Sequence, residues 1–231
     1  MKGTGAHLAR SLDFEFGGAS WRALPQRAAF WLARRWLVVA DAHLGKAATF
    51  RARGVPVPQG TTLANLARLA ALIEALQPQR LVFLGDLLHA REAQGAGTMR
   101  QFAQWRAQHA HLPMTLVEGN HDRHAGAPPP ELDIEVVGEP WLVHDIAFCH
   151  HPQWLDGAGV VAGHLHPCVR LHGGANDTLR LPCFWLRAGL LTLPAFGEFT
   201  GGAAIVREAG DRVLAVADER LIEIPAEAGA V

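Results

Sequence analysis

Five short stretches hold the side chains best suited to chemistry: Asp41-Ala-His43, Gly85-Asp86, Gly119-Asn-His-Asp122, His150-His-Pro152 and Gly163-His-Leu-His166. Read as metal ligands, they fall into two pockets. Asp41 and His43 stand two apart at the end of an apolar run, so both can face one point. His164 and His166 share one side of an extended segment for the same reason. Asp86 follows a glycine, where the missing side chain allows close approach to a ligand, and its two oxygens can bridge two cations. Asn120 offers a neutral carbonyl oxygen and His150 an imidazole. The first pocket then comprises Asp41, His43, His166 and Asp86; the second comprises Asn120, His150, His164 and the same Asp86. Mixed nitrogen and oxygen donors suit Mn²⁺, with Fe or Zn²⁺ as alternatives, better than Mg²⁺ or Ca²⁺. Two such ions ~3.5–4 Å apart clamp the attacking and leaving oxygens of an in-line phosphoryl transfer. A solvent molecule bridging them would be acidified to hydroxide and attack phosphorus.

Each stretch is weak evidence alone, since Asp-x-His and Gly-Asp are ordinary turn sequences. What distinguishes them is their shared position. Trp36–Ala40, Leu81–Leu84, Met114–Val117, Ile146–Cys149 and Val160–Ala162 are short apolar runs that read as buried strands, and each stops at one of the five clusters. In open α/β sheets ligands sit beyond the carboxyl ends of the strands, so five such endings can converge on one edge. Helices are expected after Thr61 and Thr62, which can cap the Leu63/Leu66/Leu69/Ile73 periodicity that Pro78 ends, and over residues 98–111. Leu12–Phe16 and Ala28–Leu32 read as strands joined by a Gly/Pro-containing connection. Beyond Ala125–Pro130, a Pro-rich loop, the pattern turns to short strands almost to the end. The first half therefore alternates strand and helix and the second half is mostly strand.

The bulk properties limit the alternatives. A chain of 231 residues, about half of them apolar, predicts one domain spanning 1–231 with a sizeable core. The net charge is −1, which gives no global signal for nucleic acid, but residues 1–60 hold nine Lys/Arg against three Asp/Glu, a basic front that fits a polyanion. Three cysteines make no disulfide framework and suit a reducing compartment. The first residues lack the apolar core of a signal peptide, and no run of ~20 apolar residues spans a bilayer. A cytoplasmic protein without a membrane partner is expected. Seven tryptophans offer stacking faces for bases, although most read as core.

The ordered series Asp41-x-His43, Gly85-Asp86, Gly119-Asn-His-Asp122, His150 and Gly163-His-x-His166 resembles the calcineurin-like metallophosphoesterase superfamily over roughly residues 36–200. The resemblance implies a four-layer α/β/β/α sandwich of two mixed sheets, with a dinuclear centre held by Asp41, His43, Asp86, Asn120, His150, His164 and His166. It favours His150 over its neighbour His151, because His150 follows the strand directly and fits the His-x-Pro pattern with Pro152. It implies that His121 stands by the substrate phosphate, stabilising charge or protonating the leaving alkoxide. Asp122 then orients His121, or else caps its own turn. Lys46, Arg51 and Arg53 are candidates for holding a substrate phosphate, a solvated loop face being an equal alternative; His89, His124 and Cys168 read as neighbours of the site or as loop residues.

A narrower resemblance rests on DAHLGKAATFRARGVPVP (Asp41–Pro58), CFWL (Cys183–Leu186) and LPAFGEFTGG (Leu193–Gly202). These are similar to the ligase-associated DNA damage response endonucleases of bacteria, the PdeM family. That resemblance implies a phosphodiesterase acting on DNA, with single strands favoured and little base specificity. It further implies functional association in repair with an ATP-dependent DNA ligase, a helicase and a second nuclease. The competing expectations are a phosphodiesterase or phosphatase for a small nucleotide-like ester, and a binding scaffold that has lost catalysis.

Overall fold

The computed structural model describes residues 10–52, 54–57, 60–88, 96–126, 128–172 and 177–225. Arg53 and His89 lie outside them. Among the described residues the chain forms two mixed β-sheets packed face to face, with helices flanking the first. The first sheet runs in the order β1(Leu12–Phe16), β2(Ala19–Leu24), β3(Ala28–Trp31), β4(Trp36–Ala40), β5(Arg80–Leu84), β6(Met114–Val117), β7(Ile134–Val137). Strands β1 to β4 form an antiparallel meander, and β4 to β7 are parallel. Between the parallel strands run α1(Lys46–Ala52), α2(Thr61–Leu76), α3(Ala96–Gln108) and the short α4(Asn120–Ala125).

The second sheet begins with β8(Trp141–Val143), β9(Ile146–Cys149) and β10(Gly159–Ala162). It continues with β11(Pro167–His172), β12(Thr178–Arg187), β13(Leu190–Thr192), β14(Ala203–Ala204), β15(Arg212–Ala217) and β16(Arg220–Ile224). Its order is β14-β11-β12-β13-β10-β9-β8, with β15 and β16 attached to β12. Strands β9, β10 and β13 are parallel, so β9 and β10 end on the same edge. Among the described residues no helix follows residue 132. The segment after β9 instead lays Leu155 and Ala158 on the outer face of the second sheet, over Ala147, Cys149, Val160 and Ala162.

The alternation of side chains along β4 shows how the layers are bound. Leu37 and Val39 point outward, into a cluster with Leu66, Leu69 and Ile73 of α2 and Phe102 and Trp105 of α3. Val38 and Ala40 point inward and meet Phe148, Val161, Phe184 and Leu191 between the sheets. A strand buried on both faces needs the unbroken apolar run seen in the sequence. Each fully buried Val, Leu or Phe contributes about 1.5–3 kcal/mol, and this double layer anchors the central strands firmly behind their polar tips.

Several local expectations change. The connection between the first two expected strands contains a third, β2, with Trp21 fully buried. The expected Thr cap of α2 is absent: the N-cap is Gly60, without a side-chain bond. The Thr62 hydroxyl instead accepts the Gly45 amide at 3.3 Å, tying α2 to the loop after β4. Part of the basic front is absorbed by structure. Arg10 pairs with Glu219, Arg22 with Asp13, and Arg35 donates to the Leu76 and Gln77 carbonyls at the end of α2. Trp21, Trp31 and Trp105 are buried in the cores and offer no stacking face, whereas Trp154 is exposed.

Candidate metal centre

The tips of β4, β5 and β6 from the first sheet, and of β9 and β10 from the second, meet at one edge. Asp41, His43 and His166 form one group whose ligand atoms lie within 4.8 Å of one another. Asp41, Asp86 and His150 form a second such group, and His150, His151 and His164 a third. Asp86 stands between the two expected pockets. Its Oδ2 lies 3.8 Å from His43 Nε2 and its Oδ1 3.5 Å from His150 Nε2. Asn120 Oδ1 is 2.9 Å from His150 Nε2, and His164 Nδ1 is 3.0 Å from the same nitrogen. All seven expected residues are thus brought to one place from five loops.

The loops pay a conformational cost to reach it. Asp41, His43, Asp86, His164 and His166 have φ of 52°, 43°, 48°, 69° and 48°, in the left-handed region. Each such residue costs roughly 1–2 kcal/mol, and residues held this way concentrate at functional sites. Gly85 precedes Asp86 at φ 69°, and a Cβ there would run into the His150 imidazole. That position accepts only glycine, for both reasons.

Backbone bonds hold the strained turns. The His43 and Leu44 amides donate to Asp86 O and Leu87 O at 2.8 Å each, joining the first two loops as a short ladder. The His164 amide donates to Asp41 Oδ2 at 2.8 Å, and the His121 amide to Asp86 Oδ1 at 3.0 Å. The ring nitrogens away from the centre are engaged as well: His150 Nδ1 lies 3.2 Å from Leu84 O, and His166 Nδ1 3.1 Å from Thr200 O. Such outer bonds set the ring orientation and leave Nε2 facing inward.

Asp41 Oδ1 provides the test of fit for a cation. It is buried and accepts no hydrogen bond, with His166 Nε2 at 3.4 Å and His150 Nδ1 at 3.8 Å. A carboxylate oxygen without a partner is costly to bury; a cation among these imidazoles would satisfy it. Burial lowers the pKa of His166, but the Asp41 carboxylate and the Thr200 carbonyl outweigh it, and the net direction is up. His164 is shifted down by partial burial and by the neighbouring His150 and His151.

His121 sits beside this group. Its ring is T-shaped to that of His43 at 5.3 Å, and its Nε2 is 4.0 Å from Asp86 Oδ2. The side chain is 40% exposed, enough to meet a ligand from solvent. Asp122 is buried and occupied elsewhere. It accepts the Gly119 amide at 2.9 Å and the Leu87 and Leu88 amides at 3.0 and 3.4 Å. It thus ties the start of α4 to the Asp86 loop, the turn-bracing alternative of its two expected roles, and burial pushes its pKa up to about 6.

Lys46, at the start of α1, lies in the field of Asp86 and Asp41; burial nonetheless carries its pKa down overall. Arg51 is exposed. His124 Nδ1 lies 2.6 Å from Asn120 O, and Cys168 is a buried thiol.

Two supports had no signal in the residue pattern. Glu139 accepts the His150 and His151 amides and the His151 ring. Residues 196–200 form a clamp under the first pocket: the Gly197 amide donates to Asp41 O at 3.1 Å, and Glu198 is held by Arg68 at 2.7 Å. Arg68 also stacks on Phe196 at 4.1 Å. The LPAFGEFTGG stretch was visible as a marker, but its bracing role was not.

Parallel strand tips from two sheets, converging on shared Asp and His groups, define a metal-dependent phosphoesterase. The chain belongs to the calcineurin-like phosphoesterase family, whose model matches residues 34–195. It is similar to the protein in the crystal structure of Pseudomonas putida nuclease MPE, with 41% identity, a TM-score of 0.83, and coverage of 93% of this chain and 100% of that one. Yfce, a phosphoesterase from E. coli, is 18% identical over 82% of this chain and 97% of that one, with a TM-score of 0.43, too distant to bear on the site. No curated protein matches.

Proposed function

We propose that the protein is a two-metal phosphodiesterase that cuts DNA, with single strands as the favoured substrate. The observation that carries the two-metal reading is Asp86, whose two oxygens face different imidazoles, His43 on one side and His150 on the other. Asp41, His43, His166 and Asp86 would hold one ion; Asn120, His150, His164 and Asp86 would hold the other. The imidazole-rich donor set supports Mn²⁺, with Fe or Zn²⁺ next. When bound, the ions supply Lewis acidity that activates water and offsets phosphate charge.

The chain's own residues do the rest. His121 Nε2 is placed to hand a proton to the leaving oxygen as the P–O bond breaks. Its backbone is pinned by Asp86, so its position follows that of the ligands. Asp122 acts through the backbone, as a positioning residue for the Asp86 and Asn120 loops. Lys46, in the field of Asp86 and Asp41, would meet a substrate phosphate outside the ions, and Arg51 and Arg53 follow it in the sequence as further candidates.

Support for DNA comes from the similarity to a nuclease over nearly the whole chain and from the Asp41–Pro58, Cys183–Leu186 and Leu193–Gly202 stretches. The same stretches support a role in bacterial repair beside an ATP-dependent ligase, a helicase and a second nuclease; the three sparse cysteines favour the cytoplasm. Among the described residues no helix is long and apolar enough to cross a membrane. The test is Mn²⁺-supplemented cleavage of single-stranded, duplex and flapped DNA, beside a chromogenic phosphodiester and a monoester. Cleavage of single-stranded DNA that vanishes in Asp86→Ala is expected. Monoester turnover without DNA nicking would assign the site to a small nucleotide-like ester instead.

A further inference from the structure

Glu139 lies in the link between the sheets, after β7 and before β8. Its side chain is 12% exposed. Oε2 accepts two backbone amides, from His150 and from His151, both at 2.8 Å. Oε1 lies 2.6 Å from His151 Nδ1. Burial raises its pKa, yet the His151 ring and the two amides outweigh that, and the group is shifted down overall. One carboxylate thus holds the turn at the end of β9, and His150 at that turn is fully buried.

The two pockets differ in how they need such support. Asp41, His43 and Asp86 come from neighbouring parallel strands of one sheet, and their loops are laddered to each other. Only His166 reaches the first pocket from the second sheet, whereas the second pocket is divided evenly across the gap, with Asn120 and Asp86 from the first sheet and His150 and His164 from the second. Glu139 bonds the inter-sheet link directly to the ligand-bearing turn across that gap. Without it, the two amides at the turn lose their acceptor. The turn would shift to recover those bonds, and His150 Nε2 would move with it.

We propose that Glu139 is a positioning residue for the second ion site: it sets His150 through the backbone amides and so controls occupancy of that site, leaving the first unaffected. This rests on the two-ion reading and deepens it. Partners of this kind typically change metal affinity about 10–100-fold when removed.

The experiment measures Mn²⁺ stoichiometry and affinity by calorimetry and mass spectrometry, with electron paramagnetic resonance to separate a coupled pair from a single ion. It uses the full chain as wild type, Glu139→Ala, Glu139→Gln and His151→Ala, each checked for folding by circular dichroism. Wild type binding fewer than two ions would sink the two-ion reading itself. Given two in wild type, Glu139→Ala is expected to keep one at unchanged affinity and weaken the other about 10–100-fold, with loss of the coupled signal. Glu139→Gln retains a carbonyl oxygen for the amides and is expected to recover most of that loss. His151→Ala keeps both amide bonds and is expected to bind two ions like wild type. Two tightly bound ions in Glu139→Ala, or equal weakening of both, would overturn the proposal. Should Glu139→Ala fail to fold, Glu139→Gln and His151→Ala decide alone: a second-ion loss in His151→Ala as large as any in Glu139→Gln would transfer the role to the imidazole.

Discussion

The first pocket holds two carboxylates, Asp41 and Asp86, whereas the second holds Asp86 alone and is more exposed at His164. Asp41 is fully buried, His43 is 4% exposed, and both stand with Asp86 in the first. In the second, Asp86 is shared with the neutral donors Asn120, His150 and His164, and His164 is exposed to solvent. Two carboxylates in a dry pocket attract a divalent cation more strongly than one carboxylate near water. The difference teaches a division of labour. The first pocket suits a resident ion that keeps the strained loops together. The second opens to solvent at His164, while the half-exposed His121 stands against His43 and Asp86 Oδ2, on the side of the first.

The largest test of that contrast removes what the pockets share. Asp86→Ala should abolish metal pairing and reduce phosphodiester turnover by more than the ~10²–10⁴-fold of a lost general acid, read as metal content together with initial rates. His121→Ala should reduce kcat by about 10²–10⁴-fold while leaving metal content intact. Metal loss on that substitution would show that His121 belongs among the ligands. Graded chelation follows. Activity should disappear when roughly the first equivalent of metal leaves, while the remaining ion resists, as dialysis followed by mass spectrometry would show. Simultaneous loss of both ions would erase the distinction between the pockets. Smallest, Lys46→Ala should raise KM about tenfold with little change in kcat, the size of one hydrogen bond to a charged group. A fall in kcat alone would move Lys46 from substrate binding to chemistry.

The positions of Asp41, Asp86, Asn120, His150 and His164 were legible because each follows an apolar run long enough to be a buried strand. Gly85 marked where the backbone approaches closely. The supports were less legible, because their partners lie far along the chain. Glu139 reads as an ordinary Glu-Pro before a strand, and its bonds run to the end of β9. Thr62 has the composition of a helix cap, yet its hydroxyl bonds Gly45, because tertiary contact outweighs a local preference. Arg10, Arg22 and Arg35 gave the first 60 residues a basic look, and folding assigns them to ion pairs and a helix end. Asp122 fitted two roles equally until its oxygens met the amides of Gly119, Leu87 and Leu88.

Local pattern was enough to determine which residues end strands, and therefore which side chains stand at the sheet edge, since burial on both faces demands an unbroken apolar run. Tertiary structure alone decided how those ends face one another. Both pockets exist only where the two sheets meet, His166 reaching Asp41 and His150 reaching Asn120 through contacts that no local spacing encodes. The left-handed turns at Asp41, Asp86 and His166 are likewise held by neighbours distant in sequence, because strain of that kind persists only where a surrounding fold constrains it.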